Sequence, residues 1–216
     1  MCGRVSRAVR CRPKQKPGGS GDPSAHMLIT MAEIRNPLPV KLFVGVLTST
    51  PQILPEIEER LLKLFGTIDL RSEQFPFDST HYYDEEMGHP IYRYFLSFSD
   101  LINPSEIAEV KMKTNDLESA FAREYSNVQR PVNLDPGYLE QSKIVLASTK
   151  NFYHRILISG GIYAEVTLHY EDGEWRILPW TFPDFKSGRY HQFLSCLRDR
   201  YRSQLKLPGF RIHKIR

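Results

Sequence analysis

Between Arg130 and Arg155 the chain gathers an unusual density of groups able to do chemistry, in the run RPVNLDPGYLEQSKIVLASTKNFYHR. Lys143, Lys150, His154 and Arg155 bracket the apolar stretch IVLAST. Cationic groups gathered near one strand end can hold a phosphate or a carboxylate. The competing reading is a basic edge that discourages unwanted strand pairing. Ten residues further on, Glu165 falls within reach of His154 if the two flank one hairpin, and an imidazole beside a carboxylate suits general-base work. Asn133 and Asp135 complete the set, as a ligand-binding amide and a second proton-moving carboxyl. Asp135-Pro136-Gly137 also has the pattern of a type II turn, and that reading asks nothing more of the aspartate.

Two other stretches carry candidates. STHYYDEEMGHP, residues 79–90, offers Tyr83 as a ligand contact and Glu86 as a carboxylate that could hold Mg²⁺ together with Asp135 and Glu165. His81 and His89, with Glu85 and Glu86, raise a transition metal, but HExxH and the Cys/His spacings of zinc sites are absent, and a solvated loop tip explains the stretch equally well. In KMKTNDLE, a continuous helix would put Lys111, Thr114, Asn115 and Glu118 on one stripe, with Lys111 and Asn115 as ligand-binding candidates. The favoured alternative is a capping box in which Asn115 starts a new helix and Glu118 reaches back to it. GxxxxGK[ST], GxGxxG and GxSxG do not occur, nor does a paired HxT or HxS motif.

These residues must be positioned by ordinary elements. VKLFVGVLTS (40–49) reads as a buried strand. In the next segment Leu54, Ile57, Leu61, Leu64 and Phe65 recur at helical spacing, and Gly66 stops the helix. TIDLRSEQFPF and YRYFLSFSD read as strands, the segment from Pro104 as a helix in one or two pieces, and 131–146 as one or two strands. The order β-α-β-β-α-β is that of a ferredoxin-like unit. Asp172-Gly173 between strands predicts a two-residue type I′ hairpin. It would set Tyr170 opposite Trp175 and gather Ile162, Ala164, Val166, Leu168, Tyr170, Trp175 and Ile177 on one face. The other face would hold Glu165, Thr167, His169 and Trp180. A two-residue Gly160-Gly161 turn would place His154 opposite Thr167. The chain closes on a helix of about 18 residues with Tyr190, Leu194, Leu197, Tyr201 and Leu205 as its buried stripe.

The fold expected is therefore α+β: a ferredoxin-like βαββαβ half, an antiparallel β-meander and a C-terminal amphipathic helix, in one domain over residues 31–207. Residues 208–216 read as a tail. Residues 1–30 carry six Lys/Arg and one acid, and read as a disordered basic tail or as untranslated sequence ahead of Met27 or Met31. Since the whole chain has 29 basic and 25 acidic residues, the rest holds 23 and 24, a net charge of −1. That near-neutral body argues against nucleic acid as its partner. No run approaches the roughly 18 apolar residues of a membrane span. Cys196 is the only cysteine after Cys11, and a cytoplasmic home is the simplest reading.

The motifs TxYYxxEMG (80–88), KxxTNxLE (111–118), RPVNLDPGYL (130–139), KIVLASTK (143–150), HRI (154–156), AEVTL (164–168) and WTFPDF (180–185) together resemble the uncharacterised bacterial family catalogued as domain of unknown function DUF4416. The resemblance spans about residues 38 to 205. It implies no activity, ligand or catalytic residue. The function expected from the residues is a small enzyme acting on a phosphorylated or nucleotide-like anionic ligand. The alternative is a non-enzymatic protein- or RNA-binding module presenting Tyr82, Tyr83 and Trp180.

Overall fold

The computed structural model describes residues 34–206 except Ser126, so the expectations for the tails 1–30 and 208–216 lie outside the described residues. The chain runs β1 (Val40–Thr48), α1 (Leu54–Phe65), β2 (Ile68–Arg71), β3 (Phe75–Pro76), α2 (Asp84–Met87), β4 (Tyr92–Ile102), α3 (Ile107–Glu124), β5 (Asn133–Leu139), β6 (Lys143–Ser148), β7 (Ile156–Ser159), β8 (Ile162–Glu171), β9 (Glu174–Ile177), α4 (Pro183–Lys186) and α5 (His191–Leu205). The strands form one antiparallel sheet of order β2-β4-β1-β5-β6-β8-β7, with β3 on β4 and β9 on β8.

Helices cover both faces, which is why β1 is buried along its whole length. Alternation divides it. Leu42, Val44 and Val46 pack with Ile57 and Leu61 of α1 and Val110, Leu117 and Phe121 of α3. Phe43 points the other way, into a cluster with Phe95, Ile144 and the predicted α5 stripe of Tyr190, Leu194, Leu197, Tyr201 and Leu205. A third, smaller cluster of Leu47, Phe77, Met87 and Ile91 pins down the loop between β3 and β4. In α1, Leu64 stays exposed while Gly66 stops the helix with φ +85°. Among the described residues, no helix is long and apolar enough to cross a membrane.

Four local expectations need correction. Asp135-Pro136-Gly137 is not a turn: all three lie inside β5, paired with β1 from Leu47↔Asn133 to Lys41↔Leu139. Asn115 caps nothing, because α3 runs unbroken from Ile107 to Glu124. The second half is not a plain meander, because β8 returns between β6 and β7, with β9 also paired to β8. Finally, bulges break the alternation assumed for β7 and β8. The Asp172-Gly173 hairpin has the expected register, Tyr170↔Trp175 and Leu168↔Ile177, with positive φ at both turn residues. On β8's other edge, however, Ile144 pairs Leu168 while Val145 pairs Val166, leaving Thr167 as the extra residue. Leu146 opposes Glu165, so Glu165 shares a face with Ile144 and Leu168. The apolar face expected on β8 is thereby split between the two sides of the sheet: Ile162 packs with α1 and α3, whereas Leu168 and Trp175 pack with α5. A second bulge at Ile158 moves the β7 register, and β7 begins only at Ile156, so His154 does not oppose Thr167.

The strand β7 is an edge, and Ile156, Leu157 and Ile158 on it are all exposed.

Candidate functional site

The site begins where the sheet forks. Strands β5 and β6 pair only at Leu139↔Ile144, Tyr138↔Val145 and Gly137↔Leu146. Beyond Gly137, β5 stays with β1 down to Asn133, and β6 stays with β8 up to Ser148. The two strands diverge, and a cavity of about 460 Å³ fills the gap.

A fork leaves backbone groups without a ladder, and each must find another partner. Helix α3 supplies them. Glu118 Oε1 accepts from Leu134 N at 2.8 Å, and Lys111 Nζ donates to Leu134 O at 2.7 Å. The backbone of Leu134 therefore points away from β1 into the gap. Two residues on, Pro136 has the same orientation and has no N–H to satisfy. A proline is tolerated in a central strand here because the neighbouring strand has already left. Gly137 sits at the apex, where a Cβ would lie 2.5 Å from Val145 O and 2.6 Å from Leu146 Cδ2. Glu118→Ala leaves the Leu134 amide buried without an acceptor, and is expected to cost about 1–3 kcal/mol of stability. Urea unfolding measures it, and Glu118→Gln, which keeps an acceptor oxygen, should lose less.

One arm of the fork carries a buried ionic lattice. Arg93 of β4 is 5% exposed. Its guanidinium crosses β1 above Gly45, where a Cβ would meet Nη1 at 2.8 Å. It donates to Asp135 Oδ2 at 2.8 Å and to Asp184 Oδ2 at 3.3 Å, and Tyr190 Oη donates to Asp184 at 3.2 Å. Asn133 Nδ2 donates to Asp135 at 2.9 Å, and the Asn133 Oδ1 takes Arg130, which also bonds Glu118 at 2.7 Å and Glu86 at 3.4 Å. Asp135 is surrounded by protein, yet 28% of its side chain stays accessible through the cavity. Burial pushes its carboxyl up, but Arg93 with Lys111 and Asn133 outweighs that and holds it below the ordinary carboxylate range. Asp135 is thus a fixed negative charge at neutral pH, not a group that trades protons there. Burial, with Asp135 adding to it, raises the Tyr83 phenol well above its usual value, so it stays a neutral wall of the cavity.

The other arm is built around Glu165. His154 Nε2 lies 2.8 Å and Arg155 Nε 2.7 Å from Glu165 Oε2, and Thr167 Oγ1 lies 3.2 Å from Oε1. Arg155 also reaches Ser148 Oγ at 3.0 Å and Lys150 O at 2.9 Å, tying the 149–155 loop to β6. His154 stacks on Trp180 with ring centroids 5.3 Å apart, and Trp180 Nε1 donates to Val166 O at 2.9 Å. Thr181 Oγ1 donates to the carbonyl of the bulged Thr167 at 2.6 Å. The WTFPDF motif thus fixes this arm at Thr181 and the first arm at Asp184.

Seven of the catalytic and ligand-binding candidates line the cavity, Tyr83, Lys111, Asn133, Asp135, Lys150, Arg155 and Glu165, together with Tyr82 of the alternative reading. His154 does not line it; it meets the lining at Glu165 and at the ring of Phe152, 5.3 Å between centroids. Lys143 lies at the far end of β6, paired with Glu140 at 3.1 Å. Asn115 lies on α3 away from the lining, and Glu86 stands behind Arg130. Among the described residues, Glu86, Asp135 and Glu165 do not bring ligand atoms together into a Mg²⁺ site, and each is engaged by arginine. The reading of the sequence missed Arg93, and left Arg130 and Asp184, which lie in the RPVNLDPGYL and WTFPDF motifs, out of the site candidates; all three line the cavity. A charge at position 93 within the apolar run IYRYFLSF was a signal, since a buried arginine needs carboxylate partners.

A model of the family described as Domain of unknown function (DUF4416) matches residues 38–201. The chain belongs to this family. Neither the curated proteins nor the solved structures contain a match. In this DUF4416 protein, all seven motifs quoted above fall within the matched span. Lys111 and Glu118 brace the fork, Arg130, Asn133 and Asp135 form one arm, and Arg155 and Glu165 the other.

Proposed function

We propose that the fork binds a small phosphorylated ligand carrying an aromatic or nucleotide-like ring. The observation that carries this reading is the convergence of five cationic side chains from four separate places in the chain. Arg93, Lys111, Arg130, Lys150 and Arg155 line the cavity with three carboxyl groups, Asp135, Glu165 and Asp184, while Glu118 and Glu86 behind the lining pair with Arg130, and Glu118 also lies 3.7 Å from Lys111. Arginine forks and a lysine ammonium suit phosphate oxygens. The volume lies in the range of drug-sized ligand sites, roughly 300–1,000 Å³. Tyr82, Phe152 and Phe182, all exposed at the rim, offer faces for a ring. Lys150 is the cation left for the ligand: it contacts the Tyr82 hydroxyl and ring, and among the described residues no carboxylate pairs with it.

We further infer that Glu165, backed by His154, is the group placed to move a proton if the ligand is a substrate. The strand order β2-β4-β1-β5, with α1 and α3 on one face, supports the ferredoxin-like reading of the first half.

The test is a thermal-shift panel on the full chain, with sugar phosphates, nucleoside phosphates and their unphosphorylated counterparts. Phosphorylated members are expected to raise Tm. Lys150→Ala should leave the Tm of the free protein unchanged and weaken binding about tenfold or more, the worth of a charge-assisted contact of about 1.5–3 kcal/mol. Equal shifts with unphosphorylated compounds would count against the proposal. No shift with any compound would instead favour a protein-binding module, for which the exposed apolar edge of β7 is the supporting feature.

A further inference from the structure

Outside the fork, the loop between β3 and β4 carries a second constellation. We propose that His81, Asp84 and His89 bind a divalent transition-metal ion, of which zinc is the best fit. Asp84 Oδ2 lies 2.7 Å from His81 Nδ1 and 2.8 Å from His89 Nε2. The three ligand atoms all lie within 4.8 Å of one another, and no other such group of His, Cys, Asp or Glu occurs among the described residues.

The donor set selects the ion. Two imidazole nitrogens and one carboxylate oxygen suit zinc, nickel or copper, whereas magnesium and calcium prefer all-oxygen shells. The atoms need little movement. Zinc bonds of about 2.1 Å at tetrahedral angles set neighbouring ligand atoms about 3.4 Å apart, so the two imidazoles would each withdraw by a little over half an ångström. Three protein ligands leave one position open to water.

A second, independent observation concerns the carboxylate itself. Asp84 Oδ1 is buried and has no hydrogen-bond partner. A cation bound at Oδ2 would neutralise the carboxylate to which this unpartnered oxygen belongs. The loop is also held in place. Met87 and Ile91 are buried with Leu47 and Phe77, and Gly88 N donates to Asp84 O at 2.9 Å. The ligands thus sit on an anchored segment, not a free tip. None of the three ligands lines the fork, although Thr80, Tyr82 and Tyr83 of the same loop do, and the metal titration reads out without any phosphorylated ligand.

The experiment is titration of chelator-stripped full-length protein with Zn²⁺ by calorimetry, and with Co²⁺ by visible absorption. The chain has other histidines and cysteines, so the readout is the difference from His81→Ala/His89→Ala. Both rings are largely exposed, 91% and 58% of their side chains, and the fold does not depend on them. The native protein is expected to bind one more equivalent of Zn²⁺ than the double variant. Its Co²⁺ spectrum should contain a nitrogen-ligand band that the variant lacks, and excess Mg²⁺ should not displace the metal. His81→Gln alone, at the most exposed ligand, should show the same loss. Identical stoichiometry and identical Co²⁺ spectra in native and variant proteins would overturn the proposal.

Discussion

Replacing Arg93 with methionine is expected to destabilise the protein by about 3–5 kcal/mol at neutral pH, the loss typical when one partner of a buried ion pair is removed. Arg93 serves two carboxylates, Asp135 and Asp184, on two different elements. Methionine fills much of the volume but leaves both acids facing each other without their cation. The loss should depend on pH with a definite sign. In the native protein the carboxyl of Asp135 is held below its unfolded value of about 3.9. Its contribution is therefore complete above that value and is lost as pH falls through the lower, folded pKa. In Arg93→Met the largest lowering influence on Asp135 is gone while burial remains, so its carboxyl is expected to rise toward the neutral acid. The folded variant binds a proton more readily than the native protein, and its deficit should shrink as pH falls from 7 toward about 4. Guanidinium chloride unfolding at a series of pH values measures this. A deficit below about 1 kcal/mol, or one that grows on acidification, would show that Arg93 is not the keystone of this arm.

Gly137→Ala is expected to cost about 3 kcal/mol or more, at the upper end of overpacking. The added methyl would meet Val145 O at 2.5 Å, Leu146 Cδ2 at 2.6 Å and Phe43 Cζ at 3.0 Å. The nearest of these is backbone, which cannot rotate away. Relief must come from spreading β5 and β6 apart at the apex, where the last residue pair joining them lies. The substitution should therefore lower Tm and also weaken any ligand held across both arms. Unchanged denaturation midpoints would mean that the apex is looser than its contacts indicate.

Both residues show how far the sequence could be read. Local rules with one dominant cause held up. Asp172-Gly173 turned the hairpin in the expected register because only that loop length pairs Tyr170 with Trp175. The α5 stripe was legible because its period has no competing explanation. The expectations that failed depended on distant neighbours. Asp-Pro-Gly looks like a turn because proline normally forfeits a ladder bond, and nothing local says that β6 has moved away from Pro136. Asn115 and Glu118 look like a capping box because nothing local says that Glu118 is already committed to Leu134 and Arg130. The strict alternation along β8 hid the extra residue at Thr167, and with it the face on which Glu165 lies. For the candidate site, residue types pointed to five of the eight charged lining side chains, Lys111, Asp135, Lys150, Arg155 and Glu165. They did not separate Lys143 from Lys150, which lie at opposite ends of β6.

The fork gives the sheet a mechanical character that its strand order conceals. Only three residue pairs tie the β1–β5 arm to the β6–β8 arm along this seam, and the Leu134 amide and carbonyl are moored to side chains of α3. Side-chain moorings flex more readily than a continuous ladder, so the arms can widen or narrow by small motions of one helix without unfolding either. A molecule seated between them would supply cross-links where rungs are missing. Occupancy would then be felt as stiffness, spreading into both arms at once, so that the sheet itself would report whether the gap is filled.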